Sequence, residues 1–405
     1  MAMTIAQTKR GKNTRVAGIR TALTGNDAVA EAWRQVDLDV VAAYPITPQT
    51  ELMHKFAEFV ADGKVTTKLV LVESEHSAMS CVIGASASGC RCATATCANG
   101  LALMWEMLYI AASLRYPIVM ADVNRALSGP LNIHCDHSDT MGARDAGWIH
   151  LFSENVQEAY DNAIQAFRIA EHPDILLPVM VMLDGFILSH TTEVLELVPD
   201  DAVRAFVGEY KPDYLLLDPA HPITVGPLDL PDYYFEHKRQ QIEAMEAVPA
   251  VVTKVAEEYA ELTGRHYGFI EPYRLDDARV AIVALGSTAG TTKATVDILR
   301  EEGKPVGMVK VRMFRPFPVK ELVDALSGLD AVAVFDRSAS FGAMGGPVYI
   351  ETLAALYGTR TNVRVMNGIY GLGGRDIGTS LIRPVFEDLL KGKMEPQVRY
   401  ISVRE

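Results

Sequence analysis

From Thr21 to about Asp200 the chain alternates short apolar runs with amphipathic stretches, and that alternation leaves few folds open. The apolar runs lie at Val36 to Tyr44, Lys68 to Glu73, Arg91 to Thr96, Pro117 to Val123 and Leu177 to Leu183. Between them, Asp27 to Gln35, Glu51 to Ala61, His76 to Ser88, Leu101 to Leu114 and Val156 to Glu171 read as helices. Strands that alternate with helices predict an α/β fold, a parallel sheet covered by helices. A second, smaller α/β unit follows, with strands expected at Val280 to Leu285, Val306 to Val311, Ala331 to Phe335 and Val363 to Met366. The intervening text is rich in proline and aromatics before a helix through Thr263. The expected division is a flexible arm over 1–20, a first unit over 21–208, a wrapping connector over 209–274 and a second unit over 275–405.

A length of 405 residues fits two or three domains and excludes a single small module. Lys+Arg of 38 against Asp+Glu of 51 gives a net charge of −13, so nothing draws the chain toward nucleic acid or anionic lipid. No apolar run approaches the length that spans a bilayer. Lys9, Arg10, Lys12 and Arg15 stand at the N-terminus without an apolar segment, which argues against a secretory signal. The 5 cysteines, an odd number, are Cys81, Cys90, Cys92, Cys97 and Cys135. They suit a reducing, cytoplasmic compartment better than a disulfide framework. Their spacing matches neither zinc nor ferredoxin-type cluster patterns, so small buried thiols are expected.

Ligands of open α/β sheets sit at the carboxyl ends of the parallel strands. After the first predicted strand comes Tyr44-Pro45-Ile46-Thr47-Pro48, after the second Glu73-Ser74-Glu75-His76, and after the Pro117 strand Asn124-Arg125. A hydroxyl, a carboxylate and a guanidinium would meet on one rim and suit a small anionic molecule. Singly, each has a plainer role: Thr47 as a helix cap, Glu75 as a charge at a helix N-terminus, Arg125 as a rim ion pair. The step Asn99-Gly100 is expected to bring free backbone N–H groups near a ligand. His134, Asp136, His137 and Asp139 look like metal ligands by composition, but lie in a loop and are read as a hydrogen-bonded cluster. Gly286 to Gly290, between a strand and a helix, is able to hold an anion, and Gly371 to Asp376 reads as a tight connection.

These motifs, together with Asp184-Gly185-Phe186, Tyr234 to Gln241, Phe314 to Pro318 and the Gly371 turn, strongly resemble the alpha subunits of the pyruvate:ferredoxin oxidoreductase (pyruvate synthase) family over nearly the whole chain. The resemblance implies a pyrimidine-binding thiamine diphosphate domain followed by a transketolase C-terminal-like domain. It implies a partner beta subunit that shares the cofactor site and holds the diphosphate and Mg2+. In agreement, Leu183-Asp184-Gly185 and Ala61-Asp62-Gly63 both fail the Gly-Asp-Gly metal motif. By motif, Glu75 falls on the catalytic carboxylate at N1′ of the aminopyrimidine, where a hydrogen bond favours the imino tautomer that accepts the thiazolium C2 proton. Arg125 falls on the substrate-carboxylate residue and Thr47 on a substrate-side hydroxyl. Tyr44, Pro45, Ile46, Asn99 and Gly100 join Glu75 as cofactor-facing positions.

The implied reaction is CoA-dependent oxidative decarboxylation of pyruvate to acetyl-CoA and CO2, and its reverse. Electrons would reach ferredoxin through [4Fe-4S] clusters held by partner subunits, the cluster-bearing beta subunit standing beside gamma and delta subunits in the complex. Cys97 departs from the serine that relatives more often carry, a weaker donor beside the cofactor. Other expected readings are a family member for branched-chain 2-oxoacids, 2-oxoglutarate or oxalate, or a non-catalytic scaffold. Thr47 argues against oxalate, for which an arginine in that loop is expected.

Overall fold

The computed structural model describes residues 15–404. Of the expected N-terminal arm, residues 1–14 lie outside the described residues, while Ile19 and Arg20 already belong to a strand. In chain order the strands of the first half are β1 (Ile19–Thr24), β2 (Val40–Ala43), β3 (Lys68–Leu71), β4 (Cys92–Thr96), β5 (Val119–Asn124), β6 (Ile149–Phe152), β7 (Val179–Asp184) and β8 (Thr192–Leu197). Those of the second half are β9 (Ile270–Tyr273), β10 (Val280–Ala284), β11 (Val306–Val311), β12 (Met313–Arg315), β13 (Ala331–Asp336), β14 (Arg364–Ile369) and β15 (Val398–Tyr400).

The first sheet has the order β12-β6-β7-β5-β4-β2-β3, parallel throughout except for β12, which runs antiparallel to β6. The second has the order β15-β14-β13-β10-β11-β9, parallel except for β9. Strands β1 and β8 form a separate antiparallel pair.

Two of these strands cut across the expected division of the chain. The 209–274 stretch is not wholly a connector, because β9 at its end completes the second sheet and Tyr234–Thr263 is one helix of 30 residues. Conversely β12, from the second half of the chain, closes the edge of the first sheet at β6. The Val36 to Tyr44 run is a strand only over Val40–Ala43, because the preceding helix continues through Val36 and ends where Asp37 takes a left-handed φ of 58°. The expected helix at Leu101 to Leu114 is broken at Met104 into Ala98–Leu103 and Trp105–Ser113.

Alternation along β5 shows how the sheet is buried on both faces. Val119, Ala121 and Val123 face a core formed with Trp33, Tyr160, Phe167 and Tyr259 from the covering helices. Met120 faces the opposite way, into a core that Met180, Trp148 and Phe152 share with Val283, Val309 and Phe314 of the second half. One continuous apolar core therefore joins the two units. At roughly 1.5–3 kcal/mol for each large side chain fully buried, it fixes the second unit against the first.

Candidate active site

Strand β2 pairs with β3 on one side and β4 on the other, so the strand order reverses there and leaves a crevice above the carboxyl ends of β2 and β4. The loop after β2 carries Thr47, and directly after β4 Cys97 leads into the short helix Ala98–Leu103, which carries Asn99 and Gly100. Glu75 begins the Glu75–Ala87 helix, capped by Ser74, whose hydroxyl accepts from the Ser77 amide. Glu75, the first residue of that helix, is 6% exposed.

Gly100 packs directly on this carboxylate. A Cβ at that position would stand 2.7 Å from Glu75 Oε1 and 2.3 Å from Thr96 Oγ1, so only glycine fits. Thr96 Oγ1 is buried without a hydrogen-bond partner, and no described residue donates a hydrogen bond to the Glu75 carboxylate. The expectation of free amides at Asn99-Gly100 is corrected for Gly100, whose N–H donates to the Cys97 carbonyl at 2.9 Å. What Gly100 contributes is the missing side chain. Asn99 is turned to the rim, where its Oδ1 accepts from the Ser128 hydroxyl at 2.9 Å.

Arg125 follows β5 and is 7% exposed. Its Nε donates to the Asn132 carbonyl at 3.0 Å and its Nη1 to the Thr47 carbonyl at 2.9 Å, while Nη2 has no partner among the described residues. No described carboxylate lies within ion-pair distance, so Arg125 is not the ordinary rim salt bridge. Thr47 does not cap the following helix either, since that helix begins after Gln49 without a side-chain cap. Its carbonyl is the shared acceptor for Arg125 and for the buried thiol of Cys97, at 3.2 Å. Burial pushes the Cys97 thiol well up. Tyr44, Pro45 and Ile46 lie on the same loop; Ile46 is tied by its amide to Gln49 Oε1, and Tyr44 is 39% exposed.

Asp139 joins the segments that follow β4 and β5. Its Oδ2 accepts from the amides of Ala98, at 3.0 Å, and Arg125, at 2.9 Å, holding Ala98 at a φ of 42° that L residues rarely adopt. Asn124 donates to the other oxygen of Asp139, at 3.0 Å, and to Asp122. Burial and then the neighbouring Asp139 charge push Asp122 well up. Burial also raises Asp139, but the amides of Arg125 and Ala98 donate to its carboxylate and oppose that rise. Sequence reasoning missed this platform, although two polar residues at i and i+2 of a buried strand, Asp122 and Asn124, were its signal.

The polar loop that follows is extensively hydrogen-bonded, although His137 Nδ1 is buried without a partner. Asp136 accepts from Ser138 and, at 3.0 Å, from the Gly373 amide of the second unit. His137 Nε2 meets Asp184 Oδ1 at 2.8 Å. Asp184 also accepts from Arg337 Nη1 at 3.0 Å and from the amide and hydroxyl of Ser287. The Gly286 to Gly290 turn thus holds an anion from within the chain. Burial alone would raise Asp184, but the His137 and Arg337 charges and these donors hold it well below the usual carboxylate range. Cys135, His137 and Asp184 lie within 4.8 Å of one another, but the guanidinium of Arg337 already supplies the positive charge there.

Residues 31–257 match the family described as "Pyruvate flavodoxin/ferredoxin oxidoreductase, thiamine diP-bdg", and residues 278–382 match "Pyruvate:ferredoxin oxidoreductase core domain II". The chain is 59% identical over 387 residues to pyruvate synthase subunit PorA of Thermotoga maritima, covering 95% of this chain and 98% of that one. It is 48% identical over 385 residues to pyruvate synthase subunit PorA of Methanocaldococcus jannaschii, with the same coverages. Ketoisovalerate oxidoreductase subunit VorA of Pyrococcus abyssi is 43% identical over 391 residues, again covering 95% and 98%. Among solved structures, the 2-oxoglutarate:ferredoxin oxidoreductase of Magnetococcus marinus shares the fold, with a TM-score of 0.70 at 22% identity, over 93% of this chain and 65% of that chain.

Proposed function

Because the chain belongs to the pyruvate flavodoxin/ferredoxin oxidoreductase family, we propose that it is the alpha-type subunit of a pyruvate synthase, oxidising pyruvate with CoA to acetyl-CoA and CO2 and passing electrons to ferredoxin. The observation that carries this reading is Arg125: a guanidinium buried without a carboxylate is costly, and the cost is met when a ligand brings the counter-charge. A 2-oxoacid carboxylate on the open Nη2 side does so, with the planar fork suited to it. The Thr47 hydroxyl, exposed on the loop whose carbonyl anchors Arg125, is assigned to the same substrate.

The residues fit thiamine diphosphate. Glu75 offers an acceptor with no internal donor, in a cradle that a Cβ at Gly100 would fill. When bound, thiamine diphosphate supplies the electron sink for decarboxylation. Glu75 would hold the proton at N1′ of its aminopyrimidine, and Tyr44, Pro45, Ile46, Asn99 and Gly100 would border the ring. We assign the diphosphate and Mg2+ to a partner beta subunit, a reading supported by the failure of both Asp-Gly sites to match Gly-Asp-Gly. The [4Fe-4S] clusters are assigned to partner subunits, with beta as a cluster-bearing one beside gamma and delta.

Exposed apolar side chains supply a seat for such a partner. Leu71 ends β3, Leu103 and Trp105 follow Gly100, and Leu131 and Ile133 follow Arg125. No helix among the described residues is long and apolar enough to cross a membrane, and we assign the complex to the cytoplasm. The test is CoA-dependent 2-oxoacid oxidation by the native complex. Pyruvate is expected as the best substrate by kcat/KM, and preference for 2-oxoisovalerate or 2-oxoglutarate would reassign it within the family. No turnover in a complete complex would favour the scaffold reading.

A further inference from the structure

The arginine offered to the substrate is steered from the second unit. The Arg125 Nε rests on the Asn132 carbonyl at 3.0 Å. The side chain of Asn132 reaches across to the Gly371 turn, where Nδ2 donates to the Gly373 carbonyl at 3.0 Å, and its Oδ1 accepts from the His134 amide at 2.7 Å. The same turn returns the contact from its other side, the Gly373 amide donating to Asp136 Oδ2. Its backbone comes this close because it carries no side chains. Gly373 and Gly374 have φ of 60° and 83°, and a Cβ on them would lie 2.5 Å from Asn132 Nδ2 and 2.3 Å from His134 Cβ. With Thr47 fixing Nη1, the other hydrogen-bonded anchor of the guanidinium among the described residues is thus a loop held by the second unit.

We propose that Asn132 is a positioning residue for substrate, linking the Gly371 to Arg375 turn of the second unit to Arg125 and so setting affinity for the 2-oxoacid carboxylate. The proposal rests on the reading that Arg125 takes that carboxylate. It gives the second unit a part in recognition, exerted through Asn132. Asn132 is half-buried and touches neither Glu75 nor Gly100, so its effect falls on binding and not on the proton at the cofactor.

The experiment measures pyruvate KM and kcat in the assembled holo-complex for Asn132→Ala, Gly373→Ala, the double variant and Arg125→Lys. Losing the two Asn132 side-chain bonds should raise KM about tenfold while kcat stays within about twofold. The Gly373→Ala change should also raise KM, but by less in the Asn132→Ala background, where the group it would strike is gone. An unchanged KM in Asn132→Ala, a loss confined to kcat, or strictly additive effects of the pair would each overturn the proposal. If Arg125→Lys also leaves kcat/KM unchanged, the underlying assignment of Arg125 falls with it; if only Arg125→Lys is damaging, the assignment stands and the proposal alone fails.

Discussion

Arg337 and Arg125 are both nearly buried, at 2% and 7% exposed, yet their surroundings are opposite. Arg337 donates to Asp184, itself held by His137 and Ser287, so the junction between the units is electrically closed. Among the described residues, the Arg125 guanidinium hydrogen-bonds to main-chain carbonyls and meets no carboxylate. The carboxylates repeat the contrast, since Asp184 is saturated with donors while Glu75 has none among the described residues. The same residue types serve cohesion where their partners come from the chain and chemistry where partners must arrive from outside.

The contrast is broken most severely at Glu75. Glu75→Gln should lower C2 proton exchange of bound thiamine diphosphate by about 10²–10⁴-fold, the range for loss of a general acid–base group, with the thermal midpoint nearly unchanged. Unaltered exchange in the holo-complex would remove Glu75 from the mechanism. At the closed junction the reverse pattern is expected. Asp184→Ala strands Arg337 and should cost about 3–5 kcal/mol of stability, the usual result of removing one member of a buried pair, read by denaturant unfolding.

That difference is pH-dependent. The folded-state value of Asp184 lies below its unfolded one, so its stabilisation is complete above the unfolded value near ~4 and is lost as pH falls toward the native value. Wild type and variant should therefore converge in stability on acidification, and a gap that widened would contradict the ion-pair reading. The smallest effect belongs to Arg125→Lys, which keeps the charge and loses the fork. It should reduce kcat/KM for pyruvate on the order of a hundredfold, one charged hydrogen bond at the upper end of ~1.5–3 kcal/mol, with cofactor affinity little changed.

The long parallel strands were legible because their apolar runs are dense and local. Val306–Val311 has the bounds that its residues suggest, and Val179–Asp184 nearly so. The strands that escaped are short or half-exposed: β6 has 4 residues, β12 has 3, and in the two-stranded ribbon β1 has no buried residue while β8 buries only Leu195 and Leu197. Thr47, Glu75 and Arg125 could be placed on one rim because each follows its own strand. What makes Arg125 unusual could not be read, since it depends on what does not surround it. The Asp184 to Arg337 pair spans 153 positions, and no local pattern announces a partner so distant.

Strand β12 has a consequence for how the protein comes into being. Met313 and Arg315 pair with Leu151 and His150 on the far edge of the first sheet, so that sheet lacks its last strand until residue 315 has been made. During synthesis, β6 therefore waits with one row of N–H and C=O groups open, the kind of edge that recruits strands from other chains. A fragment ending before the second unit keeps that edge for good. Shortening the gene at the apparent boundary between the units would yield not a smaller working module but an adhesive one.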